Sequence, residues 1–308
     1  MKMLSNRIVF LNGNYVAWDQ ATVHIMCHSF GRGSAVFEVL SLHDTDDGTV
    51  IFRLDEHINR LFRTTELLDM ELPLSKKDCM AVVTNTVKKN TIRQGFIKII
   101  GYYPQISFEI LPPQKMLDIA VFIIDPAGDP VDPDDSFDQG TTACLSSWIK
   151  LDPRTVPVEA KVAAHYLNGM MARKEAEKRG FAYAIMLDTR GFIAEGGTES
   201  VFLVNNGKLL TPMVGTVLDS ITRKSILQVA TAEGIPTRED HLLPELLYEA
   251  DEIFFSGTPN KVLPVRQIED QSVTGTPGPL TRKLSAVMKD ILSGRDSRFK
   301  DWLFPVLL

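Results

Sequence analysis

The sequence predicts an α+β chain in two domains, a small N-terminal α/β sandwich-like domain over residues 1–124 and a larger C-terminal domain over 137–308. Three observations lead there. At 308 residues the chain exceeds the size at which one hydrophobic core stops growing. Near the middle, Asp125-Pro-Ala-Gly-Asp-Pro-Val-Asp-Pro-Asp-Asp135 packs prolines and acids between two strand-like runs, the composition of a linker, placed at 125–136. On both sides of it, short runs rich in β-branched and aromatic residues are interrupted by a few helical patterns.

In the first half the runs 7–11, 36–42, 49–53, 96–102 and 117–124 read as strands, with Asn12-Gly13 as a hairpin turn after the first. Residues 55–70 place Ile58, Leu61, Phe62, Thr65 and Leu68 on one helical face, and Ser75-Lys-Lys-Asp78 opens a second helix running to about residue 89. In the second half a helix over about 164–179 stops at Gly180, a residue suited to the left-handed geometry that ends helices. Strands at 141–148, 182–187, 192–194, 200–204, 208–211 and 252–255 accompany it. A helix over 218–230, capped by Asp219 or Ser220 and stopped by Gly234, and a last helix over about 280–292 complete the reading.

Composition excludes several classes of function. With net charge −6 and no block of like charges, nothing marks a nucleic-acid surface or a polybasic membrane patch. No apolar run approaches the ~18 residues that span a bilayer, and the opening residues turn into a strand without an apolar core of signal-peptide length. Cys27, Cys79 and Cys144 are far apart and lack metal-ligand spacing, so reduced thiols and a cytoplasmic location are expected and no metal is. Gly31-Arg-Gly33 lacks the third glycine of a dinucleotide loop.

Chemistry concentrates around Lys161 and the stretch Gly191-Phe-Ile-Ala-Glu-Gly-Gly-Thr-Glu-Ser-Val-Phe202. A lysine and a carboxylate on neighbouring elements can operate a pyridoxal ring: the amine holds the aldehyde as a Schiff base, and the acid keeps the pyridine nitrogen protonated, which makes the ring an electron sink. Two breaks could seat a phosphate. At Ser220-Ile221-Thr222 a helix begins, offering free N–H groups and a hydroxyl. At Ser256-Gly257-Thr258 a strand ends in small hydroxylated residues.

Taken in order, Lys161 with Tyr166, Glu195-Gly-Gly-Thr-Glu-Ser-Val-Phe202, Leu218-x-x-Ile-Thr-Arg223 and Ser256-Gly-Thr258 resemble the class IV aminotransferases, the fold-type IV pyridoxal-phosphate enzymes. His28-Ser-Phe-Gly31, Val36-Phe-Glu-Val39 and the segment Phe52-Arg-Leu-Asp-Glu-His-Ile-Asn-Arg60-Leu-Phe62 look like that family's N-terminal domain. The resemblance implies a C-terminal pseudo-barrel with flanking helices, pyridoxal 5'-phosphate as cofactor, and a homodimer. It casts Lys161 as the Schiff-base lysine and proton shuttle and Glu195, rather than Glu199, as the partner of the pyridine nitrogen. Tyr166 matches the phenol that bonds the ring hydroxyl. Arg60, Ile221, Thr222 and Thr258 match the phosphate cup, and Leu218 packs on the ring face. His57, one turn before Arg60, reads as a packing or capping group.

For the substrate, Phe37 and Phe96 suit an apolar pocket, and Lys98 and Thr258 are placed at the carboxylate. Branched-chain members usually carry Tyr-x-Arg where this chain has Phe96-Ile-Lys98, so the cation stays and the fork is lost. They also have a free N–H after the Thr258 position, which Pro259 lacks. The D-amino-acid branch has an arginine and a histidine in the loop that here reads Tyr103-Pro-Gln-Ile-Ser-Phe108. The expected activity is transfer of an amino group from a branched-chain or other apolar L-amino acid to 2-oxoglutarate by ping-pong half-reactions. A D-amino-acid or (R)-amine transaminase and a lyase like aminodeoxychorismate lyase remain open. Loop 103–113 and the linker are candidate lids over the site.

Overall fold

The structure, a computed structural model, describes residues 4–127, 129 and 136–306. Of the expected linker and lid at 125–136, residues 128 and 130–135 lie outside the described residues. The chain divides into two compact units, Met1–Pro133 with Ala160–Ala164 and Ile291–Leu308, and Asp134–Glu159 with His165–Asp290.

The first unit opens with β1 (Ile8–Leu11) and β2 (Asn14–Ala17), joined through Asn12 and Gly13 at φ 42° and 91°, the mirror-image turn that Asn-Gly favours. A short α1 (His28–Arg32) leads to β3 (Val36–Thr45) and β4 (Gly48–Phe52), then α2 (Leu54–Leu67), α3 (Lys76–Asn90), β5 (Gly95–Tyr102) and β6 (Asp118–Ile124). The Ser75 hydroxyl accepts the Asp78 N–H at 3.2 Å, the cap expected from sequence. In α2 the buried positions Leu54, His57, Ile58, Leu61, Thr64 and Thr65 recur every three or four residues and face the sheet. Ile97 and Ile99 of β5 point into the same core, while Phe96, Lys98 and Ile100 take the other, less buried face, as the two-residue strand period requires.

The second unit contains β7 (Thr141–Leu145), α4 (Tyr166–Lys178), β8 (Tyr183–Ile185), β9 (Ser200–Asn205), β10 (Lys208–Pro212), α5 (Ile221–Ala232), β11 (Thr237–Asp240), α6 (Leu246–Glu249), β12 (Glu252–Ser256), β13 (Leu263–Ile268), β14 (Gln271–Ser272) and α7 (Pro279–Leu292). Its sheet runs β11-β10-β9-β12-β13-β7-β8, with β14 on β13 and parallel pairs at β10–β11, β7–β13 and β7–β8. The expected strand 192–194 is instead an irregular seam between the two ends of that sheet. Ile193 N–H donates to the Leu242 carbonyl just past β11 (2.8 Å), and Ala194 N–H donates to Met186 just past β8 (2.9 Å). That seam closes the sheet into the anticipated pseudo-barrel, around Tyr183, Ile193, Val201, Leu203, Ile253, Phe255 and Val265.

Other departures have local causes. The strand expected at 141–148 ends at Leu145 because Ser146 Oγ (2.8 Å) and the Ser147 N–H (3.1 Å) turn away to the Glu175 carboxylate. The helix expected from 218 begins at Ile221, where Ser220 caps it by accepting the Arg223 N–H at 3.3 Å. β11, Thr-Arg-Glu-Asp, is a polar edge strand with no apolar signature, and β13 contains Pro264.

The fold does not end on a helix, and its last residues do not stay with the second unit, although a domain over 137–308 was expected. β15 (Leu303–Val306) pairs antiparallel with β4 of the first unit, giving an all-antiparallel sheet β15-β4-β3-β5-β6-β1-β2 there. Val306 is buried in that unit's core. A four-residue strand holding Pro305 at the chain's end has too little pattern to be seen from sequence.

Candidate active site

In the first unit the segment around Lys161 lies beside the start of β3. The Phe37 N–H donates to the Lys161 carbonyl (3.1 Å), the Ala163 N–H to the Ala35 carbonyl (2.8 Å), and the Lys161 N–H to the Thr64 hydroxyl of α2 (3.1 Å). Backbone on both sides of the lysine is therefore fixed by β3 and α2. Its ammonium sits 4.8 Å from the centre of the Phe37 ring, and the Lys98 ammonium 5.5 Å from the same centre. Three residues expected at the site, Lys161, Phe37 and Lys98, thus meet on one ring. Phe96 is two residues from Lys98 on the same face of β5.

On the opposite face of β3, Glu38 is fully buried. Arg60 grips it with Nε at 2.7 Å and a terminal nitrogen at 2.8 Å, and His57 Nδ1 lies 2.8 Å from the same carboxylate. Burial alone would push this carboxyl up; the Arg60 charge, with hydrogen bonds from Arg60 and His57, outweighs burial and holds it at about 2. One edge of the Arg60 guanidinium is committed to orienting the side chain, and His57, read from sequence as a packing or capping group, is a buried polar partner of Glu38 instead.

In the second unit Glu195 ends the barrel seam, its carbonyl accepting the Met186 N–H at 3.0 Å. Its side chain is buried and ion-paired to Lys150, a residue that nothing in the sequence motif marks. Glu199 behaves differently: its carboxylate folds back onto the Thr198 N–H (3.0 Å) and hydroxyl. The loop between them is pressed onto α4, since a Cβ at Gly169 would run into the Gly197 carbonyl. Tyr166, half-buried, is the first residue of α4.

Both stretches expected to seat a phosphate lie in this unit. α5 begins at Ile221 with Thr222 buried behind the Ser220 cap, and half-buried Leu218 precedes it. Arg223 is pulled away from solvent and ties the helix to β10 and β11, donating to the Pro212 carbonyl (2.7 Å) and pairing with Glu239. Arg223 also lines a small cavity with Glu195, Ser200, Thr211 and Val217. After β12 the chain turns through Ser256 to Lys261, closed by Gly257 N–H to Asn260 carbonyl (2.8 Å). The Lys261 ammonium donates to the Thr258 carbonyl (2.6 Å), and burial pushes that amine down to about 7. The buried Ser256 hydroxyl has no hydrogen-bond partner among the described residues.

The family model described as amino-transferase class IV matches residues 35–268. The chain is 32% identical over 300 residues to the branched-chain-amino-acid aminotransferase of Salmonella typhimurium, covering 97% of each, and 31% identical over 297 residues to that of Escherichia coli K12, covering 96% of each. Among solved structures it resembles the branched-chain amino acid aminotransferase of Thermobaculum terrenum in its PLP-bound holo-form (TM-score 0.90, 28% identity, 99% of this chain and 100% of that one). The Escherichia coli enzyme superposes with TM-score 0.92 at 31% identity, covering 98% of this chain and 99% of that one.

Proposed function

Because the chain belongs to the class IV aminotransferase family, we propose that it is a pyridoxal-phosphate-dependent transaminase that moves an amino group from a branched-chain or other apolar L-amino acid to 2-oxoglutarate in two ping-pong half-reactions. The observation that carries this reading is that the family match over 35–268 spans every residue of the expected site, from Phe37 and Arg60 through Lys161 and Glu195 to Thr258.

The residues fit such a cofactor. A buried Ser256 hydroxyl with no hydrogen-bond partner among the described residues, a helix that starts at Ile221 and Thr222, and a buried carboxylate at Glu195 suit a phosphate and a protonated ring nitrogen. When bound, the cofactor supplies an aldehyde carbon and an electron-withdrawing pyridine ring. Lys161 would hold that carbon and would move a proton at the substrate Cα. Glu195 keeps the ring nitrogen protonated by charge, and Tyr166 donates to the ring hydroxyl oxygen. Arg60, Ile221, Thr222 and Thr258 hold the phosphate, with Leu218 on the ring face. Phe37 and Phe96 wall an apolar side-chain pocket, and Lys98 draws the substrate carboxylate as a single charge in place of an arginine fork.

A homodimer is part of the reading. In the first unit, residues 22–32 lie against 105–111 through Arg32 to the Phe108 carbonyl (2.9 Å) and His28 Nε2 to the Ile110 carbonyl (3.1 Å). There Ile25, Phe30, Phe108, Ile110 and Leu111 are 65–75% exposed, an apolar patch suited to a second copy of the chain. No described helix is long and apolar enough to cross a membrane.

Lys98 and Pro259 favour one second reading, a D-amino-acid or (R)-amine transaminase, because both remove features of L-branched-chain carboxylate binding. Mixing the pyridoxal-phosphate-loaded chain separately with L-leucine, D-alanine, an (R)-amine and aminodeoxychorismate, while following loss of the visible cofactor band, decides the matter. Fastest conversion to the pyridoxamine form with L-leucine is expected. Fastest conversion with D-alanine or the amine establishes the second reading, and pyruvate release without pyridoxamine formation indicates a lyase.

A further inference from the structure

Lys150 occupies an irregular segment after β7, yet its backbone is fixed at three points. Asn168 of α4 donates to the Ile149 carbonyl (3.0 Å) and accepts the Leu151 N–H (3.3 Å), bracketing the lysine, whose own N–H donates to the Leu187 carbonyl (2.8 Å). Glu195 is tied to the neighbouring residue of the same chain segment, Met186 (3.0 Å). The two side chains therefore project from backbones fastened to adjacent residues just past β8, and their ends meet. Their side chains are 11% and 10% exposed, and among the described residues each is the other's only ion-pair partner. The ion pair reaches one carboxylate oxygen, Oε1.

A surface lysine pairing with a nearby acid contributes little and loses side-chain entropy to stay in place. Here the bracketing by Asn168 and the burial of both partners specify the contact instead. We propose that Lys150 is a positioning residue for Glu195: it holds Oε1 and turns Oε2 toward the ring nitrogen of the cofactor. The inference rests on the assignment of Glu195 to that nitrogen. Lys150 touches neither substrate nor cofactor in this role and acts through Glu195 alone.

The test compares Lys150→Met, Lys150→Arg, Glu195→Gln and the Lys150→Met/Glu195→Gln double variant of the full-length holoenzyme. Two quantities are read: the rate at which pyridoxal phosphate is lost on dilution, and the wavelength of the visible cofactor band. Lys150→Met is expected to speed cofactor loss about tenfold and to shift the band, because a carboxylate that loses the partner on Oε1 is no longer held toward the ring. Lys150→Arg should restore both. In the Glu195→Gln background, Lys150→Met should add nothing, the mark of two residues acting as one unit. A Lys150→Met enzyme that melts earlier but keeps its cofactor and its visible band overturns the proposal, as do effects that simply add to those of Glu195→Gln. Should the Met variant not fold, Lys150→Gln, also neutral, carries the same comparison. If Glu195→Gln itself leaves cofactor retention and turnover unchanged, the assignment of Glu195 fails, which is a separate outcome.

Discussion

Glu38 shows how much of the first unit's site is built from a single buried charge. Its carboxylate takes one edge of Arg60 and the ring of His57, so the side chain proposed to clamp the phosphate is aimed before any ligand arrives. A carboxyl held at about 2, below its unfolded value of about 4.3, contributes stability that is fully present above ~4.3 and is lost as pH falls toward ~2. Glu38→Gln should cost about 3 kcal/mol near neutral pH by removing the buried charge that faces Arg60. The difference from the parent chain should shrink as the pH is lowered through that window, read from urea midpoints. At this scale Arg60, Lys161 and Glu195 could be proposed from the sequence because each stands inside a spaced motif. Glu38 and Lys150 were not assigned roles, because their partners are distant along the chain and only folding brings the charges together.

Among the elements, the seam at residues 192–195 matters most to the proposed chemistry. Its apolar residues read as an ordinary strand, which placed it correctly between two strands but missed its task. It bonds to Met186 on one side and Leu242 on the other, and the acid follows at the point where the barrel closes. Periodicity reports which face of a segment is buried and is silent about which edges it bridges. The loop that follows is set by the contact of Gly169 with Gly197. Gly169→Ala should therefore push that loop off α4, costing about 1–3 kcal/mol of stability by overpacking. Because the displaced loop begins next to Glu195, cofactor affinity should fall as well. A melting curve with and without pyridoxal phosphate measures both, and an Ala variant with unchanged affinity would mean that the loop yields without moving the acid. The helix start at Ser220 was legible to within a residue, since a cap is a local device that needs no tertiary information.

For the whole molecule, the pseudo-barrel was implied by the family resemblance alone, while the α+β class was legible, since strand-rich runs, a helix cap and a glycine stop agree with one another at each level. The return of β15 to the first sheet was not, because pairing between chain ends leaves no trace in a local window. Assembly belongs to this scale too. The patch of Ile25, Phe30, Phe108, Ile110 and Leu111 predicts a dimer in sedimentation velocity, and Phe108→Glu with Ile110→Glu should shift it to monomer while the circular dichroism stays that of the parent. A parent chain that sediments as a monomer at micromolar concentration would remove the second copy from the account. The account's central claim, that Lys161 carries the cofactor of a class IV transaminase, is tested most directly by reducing the pyridoxal-phosphate-loaded chain with borohydride and mapping the modified peptide by mass spectrometry. One phosphopyridoxyl group on Lys161, absent in Lys161→Ala together with a loss of turnover of more than about a thousandfold, is the predicted result; a group on another lysine, or none, would contradict it.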